Sequence, residues 1–404
     1  MRAETGDGRP NVICVAGRRV VHVLAEMDVR TTLLGDPTPL DLACVVDLPL
    51  DVDLGDWAAT EALLRGLHDA RPFGGVVNVY DAHLPLAGYL AARLGVAGPA
   101  MSAAMNCDSK LRMRLALAGG GVPVPAHHLV GDPDEAQAAA SRLDYPVLVK
   151  KVTGARGKGT RVCRGPEEVA AAVVALRTED HPDLLVEEYI DGPEYAVQTV
   201  TAGGVTDVAG ILAQHTAPGA RPLEIGYDHP SGLGPEKEAE LGAFVAEALR
   251  VLGLENGVAH TQVRLGPEGP VVVNVSLRPP GGRLCEVTEA VSGVDLVRAA
   301  VEVTLGRPVT RRSPVARYVM YRCLTFDQAG AVEYDPRALA EVGEAPAPVV
   351  SMDVEPGQTV FPVDHAEGGV YGRVVVYADD ETRLVPAYQD AVGRLRPRVG
   401  DSST

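Results

Sequence analysis

The stretch Tyr145–Val162, YPVLVKKVTGARGKGTRV, decides how the rest of the chain is read. Its first half, 146–152, is apolar and β-branched, which predicts a buried strand that delivers Lys150. Gly154, Gly157 and Gly159 follow at once. Glycines let backbone N–H groups come close to phosphate oxygens. Lys151, Arg156, Lys158 and Arg161 add positive charge beside them. A second strand is expected over 160–163. The arrangement fits phosphate binding and equally fits a plain hairpin. It is not a Walker A loop, because no GxxxxGK[ST] is present.

Working outward, Leu184–Val197 (LLVEEYIDGPEYAV) is a hydrophobic strand that ends in Glu187 and Glu188, turns at Asp191-Gly192-Pro193 and presents Glu194. Such a strand end can offer backbone groups to an adenine edge and a carboxylate to ribose hydroxyls. By itself it also suits a solvated acidic turn, because most charge clusters lie on surfaces. Upstream, 107–119 predicts a helix with Asp108 as its N-cap and Gly119–Gly121 as its stop. Val122–Pro125 (VPVP) is a stiff extended linker. Helices are expected over 133–143, 166–177 and 235–252, and a hairpin near Gly203-Gly204. Strands over 257–265 and 271–275 are joined by the turn 266–269. A last strand (371–377) and helix (381–395) close the chain.

Toward the N-terminus, short apolar strands at 11–16, 29–34, 45–46 and 75–80, with a helix over 57–68, alternate as in a parallel α/β layer. Gly17 stands without a GxGxxG pattern, so no dinucleotide site is expected. The 404 residues carry 37 Lys+Arg against 54 Asp+Glu, a formal net charge of −17. That balance argues against a nucleic-acid or anionic-membrane surface, which needs clustered cations. The six cysteines form no CxxC pair, as expected for free thiols in a reducing compartment. The first residues are polar, and every apolar run is interrupted before spanning length, so a cytoplasmic protein is expected.

Taken in order, these segments resemble the ATP-grasp superfamily, and within it the carboxylate–amine ligases that join amino acids or make dipeptides. Asp108-Ser-Lys110 with Gly121–Pro125 resembles the family's entry helix and linker. Lys150 with the 154–159 loop resembles its phosphate-covering loop, and Glu187–Glu194 its adenine and ribose segment. Pro222–Gly226 resembles a substrate-side stretch. Gly257–Gly282 (GVAHTQVRLGPEGPVVVNVSLRPPGG) resembles its paired metal-site strands, and Ser292–Asp295 also fits. Each motif is weak, whereas the ordered series is specific.

The resemblance implies an α/β (α+β) architecture: a Rossmann-like domain over 1–105, an ATP-grasp domain over 106–310 with a mobile phosphate-loop part at about 125–195, and a substrate-pocket segment over 311–404. ATP would lie between two antiparallel sheets. Lys110, Lys150, Gly154, Arg156, Gly157, Lys158, Gly159, Glu187, Glu188, Tyr189, Ile190 and Glu194 would bind it. A carboxylate would attack the γ-phosphate, and an amine would displace phosphate from the acyl phosphate, with Arg278 stabilising developing charge. Glu224, His260, Gly281 and Gly282 are the substrate-side candidates, and Arg317 and Arg373 candidate pocket cations. The partners implied are a small carboxylate and a small amine, with room for a homodimer.

The chain departs from the pattern at the metal. The family's paired strands carry acidic Mg²⁺ ligands and an Asn, where this chain has Gln262, Asn274 and Ser276. Mg²⁺ is a hard ion that prefers carboxylate and phosphate oxygens. Three readings follow. Mg²⁺ is held by phosphates and amide oxygens; or Glu224, Glu268 or Glu286 substitutes; or catalysis is lost or altered and the chain is a nucleotide-binding pseudoenzyme. His260, two residues before Gln262 on the same strand face, is a substrate contact or a satisfied core histidine. His127 and His128 point apart on an extended stretch and make poor joint ligands.

Overall fold

The computed structural model describes residues 8–35, 37, 39–154, 159–339, 346–365 and 367–400. Four sheets organise it. In the first, β1 (Asn11–Val15), β2 (Arg30–Gly35), β3 (Leu48–Asp51) and β4 (Gly75–Asn78) pair in parallel in the order β3-β2-β1-β4. β1 is buried along its whole length, as expected of a parallel strand covered on both faces. The third strand starts at Leu48 rather than at 45–46, because the short helix Leu40–Ala43 and the turn after it occupy that stretch.

The second sheet takes β5 (His127–Val130), β6 (Val147–Lys151), β7 (Thr160–Cys163) and β8 (Leu184–Glu188), antiparallel in the order β5-β8-β6-β7. Helices Pro133–Leu143 and Pro166–Leu176 bury Ala136, Ala140, Val169 and Val173 against Val147, Val149 and Val186. Both helices open on a proline at the first turn, where its missing N–H leaves no helical bond unmade.

The remaining strands are β9 (Glu194–Ala202), β10 (Val205–Thr216), β11 (Glu224–His229), β12 (Gly257–Gly266), β13 (Gly269–Ser276), β14 (Tyr318–Leu324), β15 (Gly330–Glu333), β16 (Val349–Met352), β17 (Thr359–Val360), β18 (Gly372–Ala378) and β19 (Arg398–Gly400). Eight of them form an antiparallel sheet in the order β13-β12-β9-β10-β11-β14-β18-β16, and β17-β15-β19 form a small one. Strand alternation sends Val197 and Ile211 to one face, under helix Pro235–Leu252. It sends Ala196 and Leu212 to the other, under helix Leu284–Ser292. Three strands from beyond residue 310 thus extend the same sheet as the strands at 194–276.

The helix expected over 107–119 is two helices, Met101–Asp108 and Lys110–Gly119. Ser109 between them is extended (φ −117°, ψ 124°), and its hydroxyl oxygen accepts from the Arg112 N–H at 3.4 Å. The N-cap is therefore Ser109 and not Asp108. This break matters for the cleft. It places Lys110 at the helix start, with its backbone N–H donating to the Val152 carbonyl at 2.8 Å, beside the glycine loop.

Candidate functional site

Between the second sheet and the large sheet lies a cavity of about 380 Å³. One wall is β6, the root of the glycine loop and the end of β8. The other is β10–β13. Of the residues singled out in the sequence, Lys110, Lys150, Gly154, Gly159, Glu187, Glu188, Tyr189, Ile190, Glu194, Glu224, Gln262 and Asn274 all line it. Arg156, Gly157 and Lys158 lie outside the described residues. Arg278, His260, Ser276, Gly281 and Gly282 are not among the lining residues.

Two lysines reach the loop root from different elements. The Lys110 Nζ donates to the Gly154 carbonyl at 2.6 Å. Burial, and then the neighbouring Lys150 ammonium, brings Lys110 down to about 8. Lys150 ion-pairs with Glu187, whose carboxylate also receives the Arg114 Nε and Nη2 at 3.2 Å. Arg114 and Glu187 are both 0% exposed. Burial alone pushes the Glu187 carboxyl up, but the Lys150 and Arg114 cations outweigh it and hold it at about 2. Burial lowers Lys150, with Glu187 opposing. The pair is ionised, because an uncompensated guanidinium in that position would be costly.

β8 ends in a turn that only glycine permits. Gly192 has φ +143°, and a Cβ there would sit 2.0 Å from the Leu265 carbonyl oxygen. That close approach lets Leu265 N–H donate to the Pro193 carbonyl at 3.0 Å and docks the Glu187–Glu194 segment onto β12. Arg264 completes the dock. It donates from Nε to Glu194 at 3.0 Å and from Nη1 to the Ile190 carbonyl at 2.8 Å, and lies 5.0 Å from the Tyr189 ring centroid. Burial pushes the Glu194 carboxyl up, with Arg264 opposing.

At the far wall, Gln262 stands opposite Asn274 in register, and His260 opposite Ser276. The Gln262 Nε2 donates to Glu224 Oε1 at 2.9 Å, Gln214 Oε1 at 3.2 Å and Glu194 Oε1 at 3.3 Å. Carboxylates only accept, so the amide nitrogen faces them. Of the three acids considered as substitutes, Glu224 alone joins this group. Glu268 is exposed on its turn, and Glu286 pairs with Arg19 at 3.2 Å. Glu224 Oε2 accepts from the Tyr227 hydroxyl at 2.7 Å. The oxygens of Glu194 and Glu224 therefore already accept protein donors, Ser276 is buried, and no three His, Cys, Asp or Glu cluster as metal ligands among the described residues. These residues do not fit a divalent ion held by the protein.

His260 is buried, its Nδ1 2.9 Å from the Gln198 amide nitrogen, and burial holds it at about 4. It is thus a neutral, satisfied imidazole. Arg278 pairs with Asp81 at 2.6 Å. Asp81 follows β4, beyond the C-terminal end of a parallel strand, where such sheets commonly hold ligands. Gly282 accepts from the Tyr321 hydroxyl at 2.5 Å. Arg373 pairs with Asp353, and Arg317 is exposed. His127 Nδ1 lies 3.0 Å from the Pro125 carbonyl.

Sequence reasoning passed over several of these groups. Arg114 follows Lys110 by one helical turn, a spacing that puts both on one face. Arg264 follows Gln262 with strand period and shares its face. Gln214, Thr216 and His181, which also line the cavity, and Asp81 carried no local signal.

A small antiparallel sheet that carries Lys150 and the ends of a glycine loop, set across a charged cleft from a second antiparallel sheet, is the arrangement of the ATP-grasp fold. Residues 143–286 match the family described as an ATP-grasp domain, and the chain carries that domain. An L-amino acid ligase from Bacillus licheniformis superposes with a TM-score of 0.81 at 20% identity, over 97% of this chain and 99% of that one. A Sinorhizobium fredii protein, y4rH, is 26% identical over 80% of this chain and 66% of its own length. Carnosine synthase 1 of Gallus gallus is 28% identical over 48% of this chain and 23% of its own. The chain spans just under two thirds of the length of y4rH and about a quarter of that of the carnosine synthase.

Proposed function

We propose that this protein is an ATP-dependent carboxylate–amine ligase acting on small, amino-acid-like substrates. The observation that carries the reading is the single cavity in which Lys110, Lys150 and the Gly154 and Gly159 loop ends face Glu188–Ile190, Glu194 and Glu224. The named ligase and synthase neighbours support it. In this reading the adenine lies against Tyr189 and Ile190, and Lys110 and Lys150 match the phosphates, with the loop ends Gly154 and Gly159 beside them. A carboxylate oxygen of the acid attacks the γ-phosphorus, and the bond to the ADP oxygen breaks. The nitrogen of the amine then attacks the acyl carbon, phosphate leaves, and the nitrogen gives up a proton. Arg278, held by Asp81, faces the charge that develops on the acyl oxygen. Catalysis here is mostly positioning and charge neutralisation. Any Mg²⁺ would be brought by the nucleotide and would neutralise phosphate charge alongside Lys110 and Lys150.

The same reading assigns 1–105, 106–310 and 311–404 as N-terminal, ATP-grasp and pocket-completing parts, with 125–195 the moving piece. It also includes a cytoplasmic location and a homodimer. Among the described residues no helix is long and apolar enough to cross a membrane.

The test is ADP and phosphate release across a panel of amino acids and dipeptides, with mass spectrometry for the amide. Release that requires both an acid and an amine is expected. Turnover indifferent to every carboxylate refutes ligation. The neutral Gln262 and Asn274 favour a second reading, a nucleotide-binding protein that does not ligate. Binding with no turnover across the panel would select it.

A further inference from the structure

Three features of the far wall point the same way. First, Gln262 acts as a donor: its amide N–H bonds run into Glu224, Gln214 and Glu194 within 3.3 Å. Second, both neighbouring carboxylates are occupied by protein groups. Glu194 accepts from Gln214 at 2.7 Å and from Arg264 at 3.0 Å, and Glu224 from Tyr227 at 2.7 Å. Third, the residue opposite is the neutral Asn274, and Ser276 is buried away from the cavity. A hard divalent ion prefers anionic oxygens. Here each oxygen of Glu194 and Glu224 already accepts at least one protein donor, and the amide N–H groups of Gln262 stand where a ligand oxygen would be. Positive charge comes instead from the side chains of Lys110, Lys150 and Arg264, which line the same cavity.

We propose that this cleft binds the nucleoside triphosphate without a protein-held divalent ion, and that Gln262 is a positioning residue that bridges Glu224 and Glu194. An acidic residue at 262 would be a third carboxylate within 3.3 Å of two others. Like charges at that separation repel strongly in a half-buried site, and the amide turns that repulsion into two hydrogen bonds. Any ion that arrives is carried by the phosphates alone. The side-chain cations and the amide wall then set the affinity. This inference rests on the nucleotide reading above.

The experiment is isothermal titration of the full-length protein with adenosine 5′-(β,γ-imido)triphosphate, once in excess EDTA and once in excess Mg²⁺. Affinities within about threefold of each other are expected, because ion and protein share no ligands. The Gln262→Glu variant is expected to become metal-dependent, binding at least about tenfold tighter with Mg²⁺ than with EDTA. A wild-type protein that loses about tenfold or more in affinity on chelation overturns the proposal. So does a Gln262→Glu variant with wild-type behaviour in both buffers. Circular dichroism of the variant with and without Mn²⁺ separates misfolding from altered binding, and a folded variant that takes up no Mn²⁺ by electron paramagnetic resonance also counts against the proposal. Absence of binding in both buffers refutes the nucleotide reading itself, and is thus distinct from binding that needs Mg²⁺.

Discussion

Replacing Glu187 by Gln probes the deepest charge in the cleft. The side chain keeps its shape and loses its charge. Arg114, fully buried, then donates to a neutral oxygen, and Lys150 loses its counter-ion. Breaking a buried ion pair by removing one partner typically costs about 3–5 kcal/mol. A second route gives a similar size. The Glu187 carboxyl falls from 4.5 to about 2, which at about 1.4 kcal/mol per tenfold corresponds to roughly 3 kcal/mol. Because the folded value is depressed, this stability is fully present above pH 4.5 and is lost as pH falls toward 2. The assay is urea unfolding followed by circular dichroism at several pH values. Glu187→Gln should lose about 3 kcal/mol at neutral pH. It should also show a flatter decline between pH 4.5 and 2 than wild type. Adding Arg114→Met should recover part of the loss, since the stranded guanidinium goes with it. A loss below about 1 kcal/mol, or parallel acid profiles, would refute the idea that this pair holds the cleft wall together.

Gly192→Ala should destabilise by several kcal/mol, because its Cβ would meet the Leu265 carbonyl oxygen at 2.0 Å and its φ of +143° suits glycine; thermal unfolding measures it. Nucleotide affinity should decline as pH rises above about 8, since Lys110 titrates there, by at most about tenfold per pH unit. Lys110→Arg should push that decline to higher pH, and titration calorimetry across pH 7–10 reads both. Asp81→Asn should lower kcat about tenfold through loss of Arg278 orientation, while nucleotide affinity stays unchanged because Asp81 does not line the cavity. An equal fall in nucleotide affinity would place Asp81 in a purely structural role.

Much of the cleft was legible locally. Lys150 follows from a β-branched strand, the loop from its glycines, and the turn at Gly192 from Asp-Gly-Pro. Those signals are short-range, so a linear reading finds them. The break at Ser109 has no local mark, because Asp108 and Ser109 are both good caps and only the hydrogen bond from the Arg112 N–H shows that Ser109 starts the second helix. β9 is buried on both faces, so its sequence lacks the alternation that marks a half-buried strand.

The order of motifs along the chain determined the fold and the two-walled cleft, because strand periodicity, glycine loops and caps are properties of neighbours. The substitutions at 262, 274 and 276 were likewise visible as letters. What those letters do was decided in three dimensions. Gln262 is a donor because β10 and β11 bring Gln214 and Glu224 beside it, and because the turn after β8 brings Glu194. Arg114 belongs to Glu187, and Arg278 to Asp81, through contacts between distant segments. Charge chemistry depends on which groups share a few ångströms of low-dielectric space, and sequence distance carries no information about that.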